Sequence, residues 1–159
     1  YDELRQAIAG YTARAAEKLR KVSLAVSVLT AFITTIRFAE KNRYSNSASL
    51  SFAEATQDTS QMIKAADECL ERIYRSGYSY NKAGVHLTGL VRPDQVQMDL
   101  FDRFDRGRSA RLMKTLDEIN SRSCGVFFAA QGTKRPWKTR FLRRSAAYTT
   151  SFKELPVVV

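Results

Sequence analysis

The hydrophobic pattern changes its period near the start of the chain, and this change separates a predicted helix from a predicted strand. Between Asp2 and Val22, apolar residues recur every three or four positions, which is the spacing of one helix face. From Leu24 onward the period is two. A helix can also be drawn through this segment, but its many Val, Ile and Thr residues favour a strand. The apolar residues expected on one side of this strand are Leu24, Val26, Val28, Phe32, Ile36 and Phe38.

A second strand and a second helix are predicted next. Residues Ala48 to Ala53 predict a short strand after a polar turn. Asp58 can accept hydrogen bonds from the free amides at the start of the following helix, and Gln61 can bond back. Gly77 can supply the stop of this helix. Its predicted buried stripe consists of Met62, Ala66, Cys69, Leu70 and Ile73.

A third strand, predicted from Tyr78 to Leu90, gives the order helix, strand, strand, helix, strand. This order predicts an α+β fold, in which two helices pack on one face of an antiparallel sheet and the other face stays open. Pro93 ends this domain.

A linker follows over residues 93–106, and a second, small α+β domain is expected from 107 to 159. Ser109 can cap a short helix there, and residues 126–132 are typical of a strand. The apolar positions expected on the helix are Leu112, Leu116 and Ile119.

Positive charge is concentrated in the last part of the chain. The formal net charge is +10, and residues 119–153 contain eight basic residues and no acidic one. Such clustering is typical of a protein that binds a polyanion such as nucleic acid, although a solvated, solubilising tail would have the same composition.

The sequence contains no evident active site. The single histidine, His86, lies in a strand pattern without a catalytic partner, and no phosphate-binding glycine loop or zinc-ligand spacing occurs. Asp67, Glu68 and Glu71 are neighbours on a predicted helix, and we interpret them as a solvated face. We therefore expect a binding module, or a non-catalytic piece of an enzyme, without a cofactor of its own.

Three features of the sequence concern the cellular compartment and whether the chain is part of a longer product. Cys69 and Cys124 are too few for a disulfide framework, which favours a reducing cytoplasm. The longest apolar run, Leu24 to Ile36, is too short to span a bilayer, and no secretory segment opens the chain, so we expect no membrane partner. The first residue is Tyr1 rather than Met, which suggests a piece of a longer product.

Six sequence blocks, in a fixed order, carry a resemblance to a known family. They are "YTARAAEKLR" (11–20), "YSNSASLSF" (44–52), "ERIYRSGYSYNKAGV" (71–85), "QMDLFD" (97–102), "FAAQG" (128–132) and "YTT" (148–150). In these blocks the chain resembles the C-terminal part of UmuC-type subunits, which are the catalytic subunits of bacterial DNA polymerase V.

The resemblance implies part of a Y-family translesion DNA polymerase of the SOS response. Residues 1–92 would be its little finger domain, which lays a sheet against the template-primer duplex, here without the first strand of the family's domain. Residues 107–159 would be the family's small C-terminal domain. The palm carboxylates that bind Mg²⁺ lie upstream in the family, so this chain alone should not polymerise. The implied partners are DNA, the sliding clamp and, through the parent enzyme, the UmuD′ dimer and RecA.

The linker places apolar residues where solvent is expected. In the resemblance, its residues Gln97, Met98, Asp99, Leu100 and Phe101 fall at the clamp-binding peptide. There Leu100 and Phe101 would enter an apolar pocket on the clamp. From the residues alone, a turn of Leu100, Phe101 and Phe104 packed on the little finger is an open alternative.

DNA contacts are expected at two places. A little finger contacts phosphates through backbone amides and through Arg, Lys, Ser and Thr side chains. The contacts expected near the open sheet face are Arg37, Arg43, Ser45, Asn46, Ser47 and Lys82. The second set could bind DNA or an acidic protein, and it consists of Lys134, Arg135, Lys138, Arg140, Arg143 and Arg144, interleaved with Trp137 and Phe141. The alternative function is a stand-alone accessory module that occupies the clamp or DNA without polymerase activity.

Overall fold

The computed structural model describes residues 1–35, 43–96, 105–122 and 125–133. The elements in chain order are helix α1 (Asp2–Lys21), strands β1 (Ala25–Thr35) and β2 (Ser45–Thr56), helix α2 (Thr59–Ile73), strand β3 (Tyr80–Val91) and helix α3 (Arg106–Arg122). Short 3₁₀ turns occur at Pro93–Gln95 and Ala129–Gln131. The α+β fold predicted from the sequence is confirmed, and the described sheet has three strands.

The strands form one antiparallel sheet in the order β2–β1–β3, so that β1 lies in the centre. Leu29, Ala31 and Ile33 of β1 are fully buried against the helices. Ile8 and Leu19 of α1 join the same core, together with the apolar stripe of α2. Because successive side chains of a strand point to opposite faces, the residues between these positions face away from the helices.

Helix α2 confirms the predicted stripe, since Met62, Ala66, Cys69, Leu70 and Ile73 are all buried. Asp58 caps the helix as predicted, and its side chain accepts from the backbone N–H of Gln61 at 2.8 Å. The Gln61 side chain does not bond back to Asp58. It instead accepts a hydrogen bond from the Thr56 hydroxyl at 2.7 Å, and Thr56 in turn accepts from the Asp58 amide.

The predicted stop of α2 at Gly77 is too late. The helix ends at Ile73, where Tyr74 is already extended, and Gly77 lies in the following turn with φ of +86°. Its positive φ serves this turn rather than a helix cap.

The predicted alternation along β1 is wrong at its start. Val26 is fully buried in the core, and so is Leu29, three residues later. The pairing of β1 with β2 shifts its register between Val26 and Val28. This irregularity reverses the sheet face on which the later side chains of β1 lie. Val28 and Phe32 therefore lie on the face opposite to Val26.

Helix α3 docks against the end of the sheet and the start of α2, largely through polar contacts. The Arg20 guanidinium donates to both carboxylate oxygens of Asp117 at 2.7 Å. Ser109 donates to Asp58, and Arg106 pairs with Glu54.

The sequence prediction for this region was wrong in three respects. The helix begins at Arg106 rather than after Ser109, and at its start Asp105, not Ser109, accepts a hydrogen bond from the Arg108 amide at 2.8 Å. The packed face of α3 carries Ser109, the buried Met113 and Asp117. Of the predicted apolar positions, Leu112 and Ile119 are exposed and Leu116 is half-buried. The face is mostly polar, so hydrophobic spacing selected the wrong side of the helix. The strand expected at 126–132 is absent from the described residues, where a 3₁₀ turn stands at Ala129–Gln131. No helix in the described ranges is long and apolar enough to cross a membrane.

Candidate nucleic-acid interface

The sheet face that points away from the helices forms a regular array of twelve positions. Each row joins one residue of β2, one of β1 and one of β3, because paired residues share a face. From one end of the sheet to the other, the rows are Ser45–Thr34–Lys82, Ser47–Phe32–Gly84, Ser49–Thr30–His86 and Ser51–Val28–Thr88.

Hydroxyl groups dominate this open face. Four exposed serines line β2 at alternate positions, Ser45, Ser47, Ser49 and Ser51, and three threonines lie on the other two strands. Thr30 and Ser49 are 2.8 Å apart through their hydroxyl oxygens, which links β1 to β2. Hydroxyls donate and accept, so this surface suits phosphate oxygens and water equally well.

An aromatic pair occupies the centre of the face. The Phe32 ring stacks on the His86 ring with 4.9 Å between centroids and 22° between planes. The same Phe32 ring lies over Gly84, where an added Cβ would stand 2.6 Å from its Cζ atom. Because the glycine has no side chain, the Phe32 ring packs directly on the backbone of β3.

The electrostatics of the face favour an anion. None of the twelve positions is acidic, and Lys82 provides a positive charge at one corner. The ion pairs Arg5–Asp67, Lys21–Glu17 and Arg72–Glu68 lie on the helical layer instead. A sheet face with hydroxyls, one lysine and no carboxylate at its twelve positions offers hydrogen-bond donors to an anion and no repelling charge.

The predicted DNA contacts divide between the two sides of the sheet. Ser45, Ser47 and Lys82 lie on the open face, and Arg43 is exposed just before β2. Asn46 pairs with Ile33 and therefore takes the opposite side of β2, where its amide donates to the Tyr44 hydroxyl at 3.1 Å.

The remaining predicted sites lie outside the described residues. These are Arg37, the clamp-binding peptide at 97–101, and the basic set Lys134, Arg135, Lys138, Arg140, Arg143 and Arg144.

Sequence reasoning missed several residues of this array. Ser49 and Ser51 continue the alternation of Ser45 and Ser47 in the stretch "YSNSASLSF", and that period of two was a usable signal for a polar strand face. His86 was set aside as an ordinary strand residue, because nothing local in the sequence indicates its contact with Phe32 on the neighbouring strand.

The described residues were searched for clusters that could bind a metal ion. Within 1–35, 43–96, 105–122 and 125–133, no group of three or more His, Cys, Asp or Glu side chains could hold a metal ion. These residues therefore do not fit the Mg²⁺ site that the resemblance implies for a whole polymerase. Burial raises the pKa of the Cys69 thiol, only partly offset by a backbone hydrogen bond with Ala31, so this cysteine is not an activated nucleophile.

Comparison with known proteins identifies the family of this chain. Residues 1–100 match the C-terminal domain of the impB/mucB/samB family, and residues 110–158 match a domain of unknown function, DUF4113. The chain is 38% identical to protein UmuC and 40% identical to protein ImpB, both of Salmonella typhimurium, over 98% of this chain and 38% of each relative. It is 37% identical to protein MucB of Escherichia coli, over 98% of this chain and 37% of that relative. The chain thus spans less than two fifths of the length of these relatives. Since the family's domain covers most of the chain, it belongs to the impB/mucB/samB family.

Proposed function

We propose that this chain is the DNA-binding and clamp-binding C-terminal part of a Y-family translesion DNA polymerase that acts in SOS mutagenesis. Family membership supports the polymerase context, and the much greater length of the relatives leaves room for a catalytic part elsewhere. Nucleotide transfer, with its Mg²⁺ ions, would belong to that other part. The UmuD′ dimer and RecA would be partners of the whole enzyme, and its compartment would be the cytoplasm.

The observation that carries the proposal is the open sheet face. It is rich in hydroxyls, free of acidic residues at its twelve positions and positive at Lys82. A polymerase must hold any sequence, and contacts to phosphates position a protein without selecting bases. The hydroxyls and the lysine of the array suit such contacts to the sugar-phosphate backbone of a duplex. The basic residues 134–144 would add a second, electrostatic contact.

The clamp contact rests on the sequence of the linker. Burial of Leu100 and Phe101 in a pocket of the clamp would supply on the order of 4 kcal/mol before ordering costs, so the peptide alone binds weakly. A weak contact is sufficient for a tether, because DNA already holds the same molecule and the second contact becomes intramolecular.

A charge-reversal pair tests the DNA contact. Lys82→Glu places a carboxylate on the open face, whereas Lys64→Glu makes the same change on an exposed position of α2, in the helical layer. With a short duplex in a fluorescence anisotropy titration, Lys82→Glu should weaken binding on the order of tenfold near 0.1 M salt. Lys64→Glu should change it much less, because charges beyond a Debye length are screened. Equal losses in both variants would show that only total charge matters and would overturn the proposed face.

A separate titration tests the clamp contact. The chain should bind the bacterial sliding clamp weakly, and Leu100→Ala/Phe101→Ala should abolish this binding while circular dichroism stays unchanged. Phe104→Ala is the matched control, because it removes an aromatic ring just outside the peptide. If all three folded proteins bind equally, or none binds, the peptide is not a clamp ligand.

A further inference from the structure

Helix α3 carries an exposed apolar stripe. Leu112 and Ile119 are 59% and 40% exposed, and Leu116 between them is half-buried. Positions separated by three, four or seven residues lie on one side of a helix, so the three side chains form a single stripe. The polar docking face, with Ser109 and Asp117, turns this stripe outward. Exposed apolar residues that occur singly are ordinary, whereas a contiguous stripe with a polar rim is typical of a protein-binding surface.

Positive charge borders the stripe. Arg108 stands one turn before Leu112, and Arg122 stands one turn after Ile119. In the described part of the chain, no carboxylate forms an ion pair with the exposed arginines of this helix, which are Arg108, Arg111 and Arg122. A second copy of this chain would bring its own arginines against these, so the charge favours a partner that carries carboxylates.

The stripe begins close to the proposed clamp-binding peptide. Only residues 102–105 lie between Phe101 and the first residue of α3, Arg106. Even a fully extended chain of this length places the two Cα atoms no more than about 18 Å apart. Leu112 lies about 9 Å further along the helix. A protein that holds Leu100 and Phe101 therefore has the outward face of α3 within reach of the same surface.

We propose that the outward face of α3 is a second contact with the protein that binds the peptide 97–101. The proposal rests on the proposed function, in which that protein is the sliding clamp, and it adds a surface to the peptide contact. The clamp would contribute an apolar patch with carboxylates at its rim, which would receive Leu112, Ile119 and the bordering arginines. Because the peptide already holds the two proteins together, the second contact is intramolecular, and even a small surface raises the affinity.

The test is a titration of the bacterial sliding clamp with the whole 159-residue chain and with a synthetic peptide of residues 97–104. The chain should bind on the order of tenfold more tightly than the peptide. Leu112→Ser removes apolar area from the stripe and should weaken binding of the chain about fivefold. Arg108→Glu places a carboxylate at the rim and should also weaken binding, with a loss that shrinks as the salt concentration rises.

Two variants control for these changes. Val22→Ser removes a similarly exposed aliphatic side chain in the turn after α1, and Lys64→Glu reverses a charge on α2. Both should bind the clamp like the wild type. Leu112→Ser should also keep the urea midpoint of the wild type, since its side chain is largely exposed. A lower midpoint would show that the rest of the chain covers the stripe, which would overturn the proposal.

The outcomes separate this inference from the function on which it rests. If the alanine variant of the peptide loses clamp binding while Leu112→Ser and Arg108→Glu bind like the wild type, the second contact is overturned and the peptide contact stands. If Arg108→Glu weakens binding to a DNA duplex and leaves clamp binding unchanged, the face belongs to nucleic acid and this inference fails. If the folded wild type does not bind the clamp, both clamp contacts are overturned.

Discussion

The Phe32 ring and the backbone of Gly84 are in direct contact across the two paired strands β1 and β3, so that a Cβ at position 84 would stand 2.6 Å from Cζ of Phe32. A glycine on a strand usually weakens it, because it has no side chain to pack. Here the ring of the neighbouring strand covers the glycine and stacks on His86. The three residues together shape the centre of the open face.

Gly84→Ala should displace the Phe32 ring and break its stack with His86. We expect a loss of about 1 kcal/mol in the free energy of unfolding, the size of a cross-strand aromatic pair. Urea denaturation of the single and double variants measures it. In a Phe32→Ala background, Gly84→Ala should be neutral or stabilising, since alanine suits a strand better than glycine does. An equal loss in both backgrounds would contradict the contact.

Asp117→Ala should loosen helix α3. The Arg20 side chain is only 11% exposed, and Asp117 accepts two hydrogen bonds from its guanidinium. Removing the carboxylate leaves a part-buried cation with fewer partners, so we expect a loss of about 2 kcal/mol. The control, Glu17→Ala, breaks the exposed pair with Lys21, and its urea midpoint should match that of the wild type. Equal midpoints for all three proteins would show that α3 contributes nothing to stability.

Asp58 serves two elements at once, and its variants should separate the two roles. The carboxylate caps α2 through the Gln61 amide and also accepts a hydrogen bond from Ser109 of α3. Asp58→Ala should cost about 1–2 kcal/mol, because it removes the cap as well as the link. Asp58→Asn retains a capping oxygen and should cost less in thermal or urea unfolding. Ser109→Ala should remove only the hydrogen bond that links Asp58 to α3. A loss of stability as large as that of Asp58→Ala would contradict the capping role.

Alkaline pH should destabilise the fold in part through Cys69. Burial raises the pKa of this thiol in the folded chain. The unfolded chain therefore loses its proton first, and stability that is complete below the ordinary thiol value, about pH 8.5, declines as the pH rises further. Urea unfolding at about pH 7.5 and 9.5 under reducing conditions measures this decline. Cys69→Ala should lose less stability over the interval than the wild type does, and an equal or greater loss would contradict the assignment.

Much of the fold follows from local patterns in the sequence. The stripe from Met62 to Ile73 on α2 was predictable because its burial repeats at the helical period, and Asp58 was recognisable as a cap. The register shift between Val26 and Val28 was not predictable, because it arises from the pairing with β2 rather than from β1 itself. The packed face of α3 was not predictable for a related reason, because the helix docks through Ser109 and Asp117 and leaves Leu112 exposed.

The residues of the candidate site likewise divide into those that the sequence predicts and those that only the structure reveals. Ser45, Ser47 and Lys82 were predictable as polar residues on strands or turns, and the register brings them onto one face. The contact of Phe32 with His86 joins residues 54 positions apart in the sequence, so only the pairing of β1 with β3 reveals it. The chemistry of the face thus depends on strand register, which no single segment specifies.

The most direct test of the central claim is a titration of the ¹⁵N-labelled chain with a short DNA duplex, followed by amide chemical shifts. The open face should respond, with the largest changes at Ser45, Ser47, Lys82 and His86, while the amides of α2 keep their positions. Shifts confined to the helical layer or to the basic residues 134–144, with the sheet unchanged, would contradict the claim that this face holds the duplex.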